Sequence, residues 1–299
     1  MNQNKQVLSI LLILLGLITL SGIGYSYIPE SNQLVRIVYI ATLYMPTPFY
    51  SLVIYSALTK ENIFKKYILK HNISLKGISF TISMVFLWGS ILFFLTYLLG
   101  KLSPETFSEL VTNNEQLLAN IEKIAGSEAA NNTDLPPTPL ILIPIAFISS
   151  ITAGFTINLF FALGEEIFWR GYLWDKYKEL TDWKVSILIG SLWGLWHIPL
   201  IIQGYNYGTE HALSGSIMFI FFCISFSYPI TLLMRQTSST VLAAGMHGMF
   251  NAFAGIFIIL VVSGNPLIDG SIGLLSIVTF MITGLIAKHA LKRSTYFNS

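Results

Sequence analysis

The sequence predicts an all-α, polytopic membrane protein: a bundle of about eight transmembrane helices with both termini cytoplasmic. Three observations carry this expectation. Charged residues are only 11% of the 299 positions and apolar ones 54%, too apolar a balance for a water-facing surface of this size. The apolar residues come in runs of about 18 or more, long enough to cross a bilayer as helix. The basic residues also concentrate in every second connecting segment.

In chain order the expected spans are 7–28, 34–58, 78–100, 138–163 (with the helix running on to 176), 184–203, 213–235, 240–262 and 271–290. The first follows Lys5 as a signal peptide would, but it is too long, and "SGIGYSYIPE" offers no small-x-small cleavage site. The second contains Pro46 and Pro48, which kink or break it where neighbouring helices re-satisfy the backbone. Residues 101–137 are the one sizeable polar stretch, with six acids against two lysines. In it Phe107, Leu110, Val111, Leu117, Leu118 and Ile121 recur at helical spacing, which predicts a short amphipathic helix in a solvated outer loop, or in a cap. Gly190 and Gly194 give the fifth span a small-xxx-small face suited to close packing. Cys223, the single cysteine, sits in the sixth span and reads as a packed thiol without disulfide or metal pattern. No internal repeat of the transporter kind is visible.

With the N-terminus inside, the inner segments hold Lys5; Lys60, Lys65, Lys66, Lys70 and Lys76; Lys176, Lys178 and Lys184; Arg235; and Lys288, Lys292 and Arg293. That is 13 of the 17 basic residues. The outer segments hold Arg36, Lys101 and Lys123. The net charge of +2 therefore reports topology and contact with the lipid bilayer, not nucleic-acid binding.

Ionisable groups inside lipid are costly and mark functional sites by default. Away from span ends they are Glu165, Glu166 and Arg170 in the fourth span, His197 in the fifth, and His247 with Asn251 in the seventh. At about 1.5 Å per residue, Glu165, His197 and His247 lie roughly 15, 20 and 16 Å below the cytoplasmic helix ends, so three helices deliver polar groups to one level. Glu166 and Arg170 are four apart and share a face, so they are expected to pair; Glu165 points elsewhere. His247 and Asn251 are likewise side by side, and Trp193 lies one turn from His197 as an aromatic wall.

A carboxylate, two imidazoles and an amide suffice for peptide hydrolysis. Glu165 and His197 can hold and deprotonate a water, while His247 and Asn251 can donate hydrogen bonds to the oxyanion. Glu165, His197 and His247 also form a candidate Zn²⁺ set with an open position, although no HExxH spacing signals it.

At these residues the chain resembles the CAAX-protease and bacteriocin-processing family of intramembrane proteases, the type II CAAX prenyl endopeptidase or lysostaphin-resistance-like family. The family's EExxxR motif matches "EEIFWR" at 165–170, and HxxxN matches "HGMFN" at 247–251. Its FxxxH appears as "WGLWH" at 193–197, with Trp193 in the place of phenylalanine. The likeness covers about 140–255. It implies a helical bundle that cleaves a membrane-associated peptide or protein at a site open toward the cytoplasm. By this resemblance Glu165 and His197 activate water, and His247 and Asn251 stabilise the oxyanion, with Glu166, Arg170 and Trp193 supporting. Both a metalloprotease chemistry with Zn²⁺ and a metal-free glutamate mechanism are ascribed to the family. The implied division of the chain is a three-helix region with its acidic outer loop at 1–137, a catalytic core at 138–262, and the last span with a basic cytoplasmic tail at 263–299. The expected location is a bacterial inner membrane. Two other functions compete: a non-catalytic bacteriocin immunity or scaffold protein of the same family, and a proton-coupled transporter.

Overall fold

The computed structural model describes residues 3–68, 73–262 and 264–296, so Lys70 of the basic inner set lies outside the described residues. The chain folds into α1 (Gln3–Ser26), α2 (Gln33–Tyr39), α3 (Thr47–Thr59), α4 (Ile63–Ile68), α5 (Leu75–Leu102), α6 (Asn114–Ala125) and α7 (Ser127–Asn131). The second half holds α8 (Leu142–Gly154), α9 (Ile157–Glu166), α10 (Trp174–Tyr177), α11 (Asp182–Ile201), α12 (Ala212–Thr237), α13 (Thr240–Phe257) and α14 (Leu274–Tyr296). Among the described residues extended pairing is limited to one isolated bridge, Leu110 to Val261. The architecture is the expected all-α membrane bundle. Among the described residues seven helical segments are long and apolar enough to span a bilayer, and the bent pair Pro139–Gly154 and Ile157–Tyr177 passes the same test only when its two helices are taken together.

The helices turn apolar side chains outward as well as inward. Leu12, Phe86, Phe160 and Leu213 are more than half exposed, a surface that suits acyl chains and not water. Inside, an aromatic cluster joins α5, α12, α13 and α14: Trp88 stacks on Phe280 at 4.8 Å, and Phe226 on the same ring at 4.6 Å. The small-xxx-small face of α11 packs as expected. A Cβ on Gly194 would stand 2.6 Å from the Ile220 Cα of α12, so only glycine permits this approach.

Two spans depart from straight helices. Pro46 lacks an N–H, and the chain before it widens into a π turn at Ile40–Tyr44, closed by Met45 N–H donating to the Ile40 carbonyl at 2.8 Å. The fourth span, expected to run unbroken from 138 to 176, is instead bent by 61° between Gly154 and Ile157. The bend is held by α13. Asn158 Nδ2 donates to the Gly248 carbonyl at 3.0 Å, and Gly154 and Gly248 face one another so closely that a Cβ on Gly248 would meet the Gly154 oxygen at 3.1 Å. Beyond Glu166 the helix widens into a second π turn, Ile167–Leu173.

Residues 101–137 contain the expected amphipathic helix, α6; much of the segment is exposed, while its 108–120 part is seated on the bundle. Val111 and Leu117 are buried, and Val111 N–H donates to the Leu260 carbonyl while Val262 N–H donates to that of Glu109. Asn120 Nδ2 donates to the carbonyls of Ile259 and Val261, and Asp269 accepts from the backbone and hydroxyl of Ser108. The segment is a cap stitched to the α13–α14 connection.

Candidate active site

The bent fourth span places two adjacent carboxylates on two different tasks, because neighbours on a helix diverge by about 100°. Glu166 is fully buried and accepts at one oxygen, Oε1, from Arg170 Nη1 and from His247 Nδ1, both at 3.0 Å. Arg170 reaches on to the Ser227 hydroxyl at 2.8 Å and lies over the Trp193 ring at 4.6 Å. The i,i+4 pair read from the sequence thus forms, and His247 joins it from a third helix.

Glu165, 4% exposed, accepts at Oε2 from Trp193 Nε1 at 2.8 Å. The tryptophan is therefore a hydrogen-bond donor as well as a wall, which phenylalanine in its place could not be. His197 Nδ1 lies 2.9 Å from the Trp193 carbonyl. A carbonyl only accepts, so Nδ1 carries a proton, and in the neutral ring Nε2 keeps its lone pair. Trp193 stands between the two imidazoles, with ring centroids 6.1 Å from His197 and 5.1 Å from His247.

Glu165, His197, His247 and Asn251 all line one cavity of about 690 Å³, with Trp193 in the same wall. Asn251, one turn from His247, is exposed within it. Met45, beside the π turn of the second span, also lines it, so the Pro46 kink shapes the pocket. The aromatic side chains of Phe219, Phe222, Phe226 and Phe250 form an apolar wall. Sequence reasoning did not single out Ser227; its only trace was a hydroxyl in the apolar run "ISFSYPI". It also missed Asp269 and Asn120, whose partners lie far away in the chain.

A metal would need Glu165, His197 and His247 drawn together as ligands. Among the described residues no three histidine, cysteine or acidic side chains gather closely enough to hold an ion. Each histidine is held through Nδ1 and Glu165 through Oε2, bonds that fix how these groups face the cavity. As described, these side chains do not draw together into a closed ligand cage.

Residues 142–253 match the family model described as Type II CAAX prenyl endopeptidase Rce1-like. CAAX prenyl protease 2 of Methanococcus maripaludis is 29% identical over 114 residues, a match that spans 36% of this chain and only 39% of that relative's length. The matched segment contains Glu165, Glu166, Arg170, Trp193, His197, His247 and Asn251.

Proposed function

We propose that the chain is an intramembrane endopeptidase that hydrolyses a peptide bond in a membrane-associated protein or peptide, a reading supported by the match of residues 142–253 to the Rce1-like model of type II CAAX prenyl endopeptidases. The observation that carries the reading is the convergence of Glu165, His197, His247 and Asn251, from three spans, on one cavity. A water held by the Glu165 carboxylate and the His197 Nε2 lone pair gives up a proton to them as its oxygen bonds to the scissile carbonyl carbon. The Asn251 amide and the His247 Nε2–H of an imidazolium donate to the oxyanion; Glu166 balances the imidazolium charge and fixes its ring. When the C–N bond breaks, the proton passes to the leaving amine. Trp193, through its bond to Glu165, and the Glu166–Arg170–Ser227 chain, through His247, position these groups.

The relative's name refers to prenylated substrates; for this chain the substrate class proposed is a membrane-associated peptide, in a bacterial inner membrane. The test is a survey of new protein termini in membranes carrying the wild-type protein, Glu165→Ala or His247→Ala. Termini that appear with wild type and vanish in both variants are expected, with both variants inserted normally. Unchanged termini in both would remove the catalytic assignment. A Zn²⁺ form, with Glu165, His197 and His247 as ligands, predicts stoichiometric zinc lost together with cleavage on chelation. An immunity role by binding predicts bacteriocin protection that survives Glu165→Ala.

A further inference from the structure

The two imidazoles of the pocket are anchored unequally. His247 sits on the buried Glu166 carboxylate, whereas the His197 ring donates through Nδ1 to a carbonyl of its own helix, that of Trp193, at 2.9 Å. A single neutral bond lets a ring swing about the contact unless its neighbours confine it. For His197 those neighbours are the rings of Trp196, in a T-shaped contact at 4.3 Å, and Phe219 at 4.5 Å.

Trp196 is in turn fixed by the second span, at both its backbone and its side chain. Tyr44 ends the π turn before Pro46, and its hydroxyl donates to the Trp196 carbonyl at 2.7 Å. Trp196 Nε1 donates to the Thr47 hydroxyl oxygen at 2.9 Å, and that hydroxyl donates to the Tyr44 carbonyl at 2.7 Å. In an α-helix the Tyr44 carbonyl would accept from the residue four positions on. That residue is Pro48, which has no N–H, and the Thr47 hydroxyl supplies the donor instead. The Tyr44 and Trp196 rings also tilt against one another at 5.4 Å. Tyr44, Thr47 and Trp196 are all buried, so each donor and acceptor in this loop of bonds depends on the others. Tyr44 and Thr47 lie outside the matched residues 142–253, yet Met45 between them lines the same cavity as His197.

Resting on the hydrolytic reading above, we propose that Tyr44 and Thr47 are positioning residues for His197. The kinked second span clamps Trp196, and the clamped indole holds the imidazole with Nε2 toward the water it shares with Glu165. The Pro46–Pro48 break then serves the chemistry, because the Tyr44 carbonyl that Pro48 leaves without a donor orients the Thr47 hydroxyl and frees its lone pair for Trp196.

The test labels the histidine rings of the full-length protein with nitrogen-15 in detergent micelles and identifies the His197 signals by their loss in His197→Gln. In the wild type His197 should show one neutral tautomer, Nδ1–H, whose proton exchanges slowly with water. Thr47→Val keeps the shape and removes both hydroxyl bonds; Tyr44→Phe keeps the ring and removes the bond to the Trp196 carbonyl. Each should mix the two tautomers at His197 and speed exchange of the Nδ1 proton about five- to tenfold, the factor set by one neutral hydrogen bond, with the His247 signals unmoved. Thr47→Ser, which keeps the hydroxyl, should restore the wild-type signals. Ser186→Ala is the control: it removes a buried 2.8 Å bond to Thr231 from the same helix, α11, and should leave His197 as it is. Unaltered His197 signals in Thr47→Val and Tyr44→Phe would overturn the proposal, as would mixed tautomers in the wild type or an equal change in Ser186→Ala. Cleavage is scored in parallel by the wild-type-dependent protein termini; its rate should fall about five- to tenfold in Thr47→Val and recover in Thr47→Ser. Altered signals with undiminished Glu165-dependent cleavage would also overturn the proposal. Altered signals with no Glu165-dependent termini even in the wild type would remove the hydrolytic reading and keep the clamp; slowed cleavage with unaltered signals would do the reverse.

Discussion

Replacing Glu166 by glutamine or alanine perturbs the most densely connected group in the pocket. Its Oε1 serves two donors, Arg170 Nη1 and His247 Nδ1, with the glutamate fully buried and Arg170 3% exposed. Glutamine keeps an acceptor oxygen for both donors and loses only the charge. Both hydrogen bonds lose the acceptor's charge while the guanidinium keeps its own and stays buried without a counter-ion, a loss of roughly 2–3 kcal/mol in all. Alanine removes both bonds and leaves a buried guanidinium supported by Ser227 and the Trp193 face alone, for a loss of about 3–5 kcal/mol. The assay is thermal unfolding in detergent followed by cleavage at a temperature where all variants stay folded. Midpoints should fall in the order wild type, Glu166→Gln, Glu166→Ala. Combining Glu166→Ala with Arg170→Leu should destabilise by less than the sum of the two, because neither partner is then left alone. Cleavage should fall further than the folded fraction, since the His247 ring loses its anchor. An alanine variant with the wild-type midpoint, or strict additivity in the double variant, would refute this reasoning.

Three other outcomes are expected. Trp193→Phe keeps the ring and removes the 2.8 Å hydrogen bond to Glu165; cleavage should drop about ten- to a hundredfold with little change in midpoint, and an unchanged rate would deny Trp193 its positioning role. Gly248→Ala puts a Cβ 3.0 Å from the Asn158 carbonyl carbon and 3.1 Å from the Gly154 oxygen; a loss of about 1–3 kcal/mol is expected on unfolding, and an unshifted midpoint would contradict the close contact at the bend. Burial holds the Asp269 carboxyl above its ordinary range, against the opposing Ser108 hydroxyl and N–H. The folded cap therefore favours the protonated acid, so this stabilisation is full below the ordinary carboxylate pKa and is lost as pH rises through the raised one. Hydrogen exchange of the 108–111 amides should follow that slope in the wild type and lose it in Asp269→Asn; the same slope in both would assign the effect elsewhere.

The membrane bundle was legible because long apolar runs and sparse charges leave few other folds, and the Glu166–Arg170 pair because it lies within one helix, where spacing determines proximity. Contacts between helices were not. The bonds from Trp193 to Glu165 and from His247 to Glu166 depend on how three rods rotate against one another, which no local spacing encodes. The π turns at 40–44 and 167–173 arise from a shift in backbone hydrogen bonding that has no composition of its own, and the bend at 155–156 from packing against Gly248. The cap was half legible: α6 followed from its apolar spacing, but its seat did not, because Asn120 and Asp269 find partners some 140 and 161 residues away.

The account stands on water being activated inside the cavity that Glu165 shares with His197, His247 and Asn251. Membranes carrying the wild-type protein, incubated in water enriched in oxygen-18, should yield peptides with a heavy oxygen in each new carboxyl terminus, and membranes carrying Glu165→Gln should yield none. Heavy termini formed equally well by the Glu165→Gln protein would place the chemistry somewhere else.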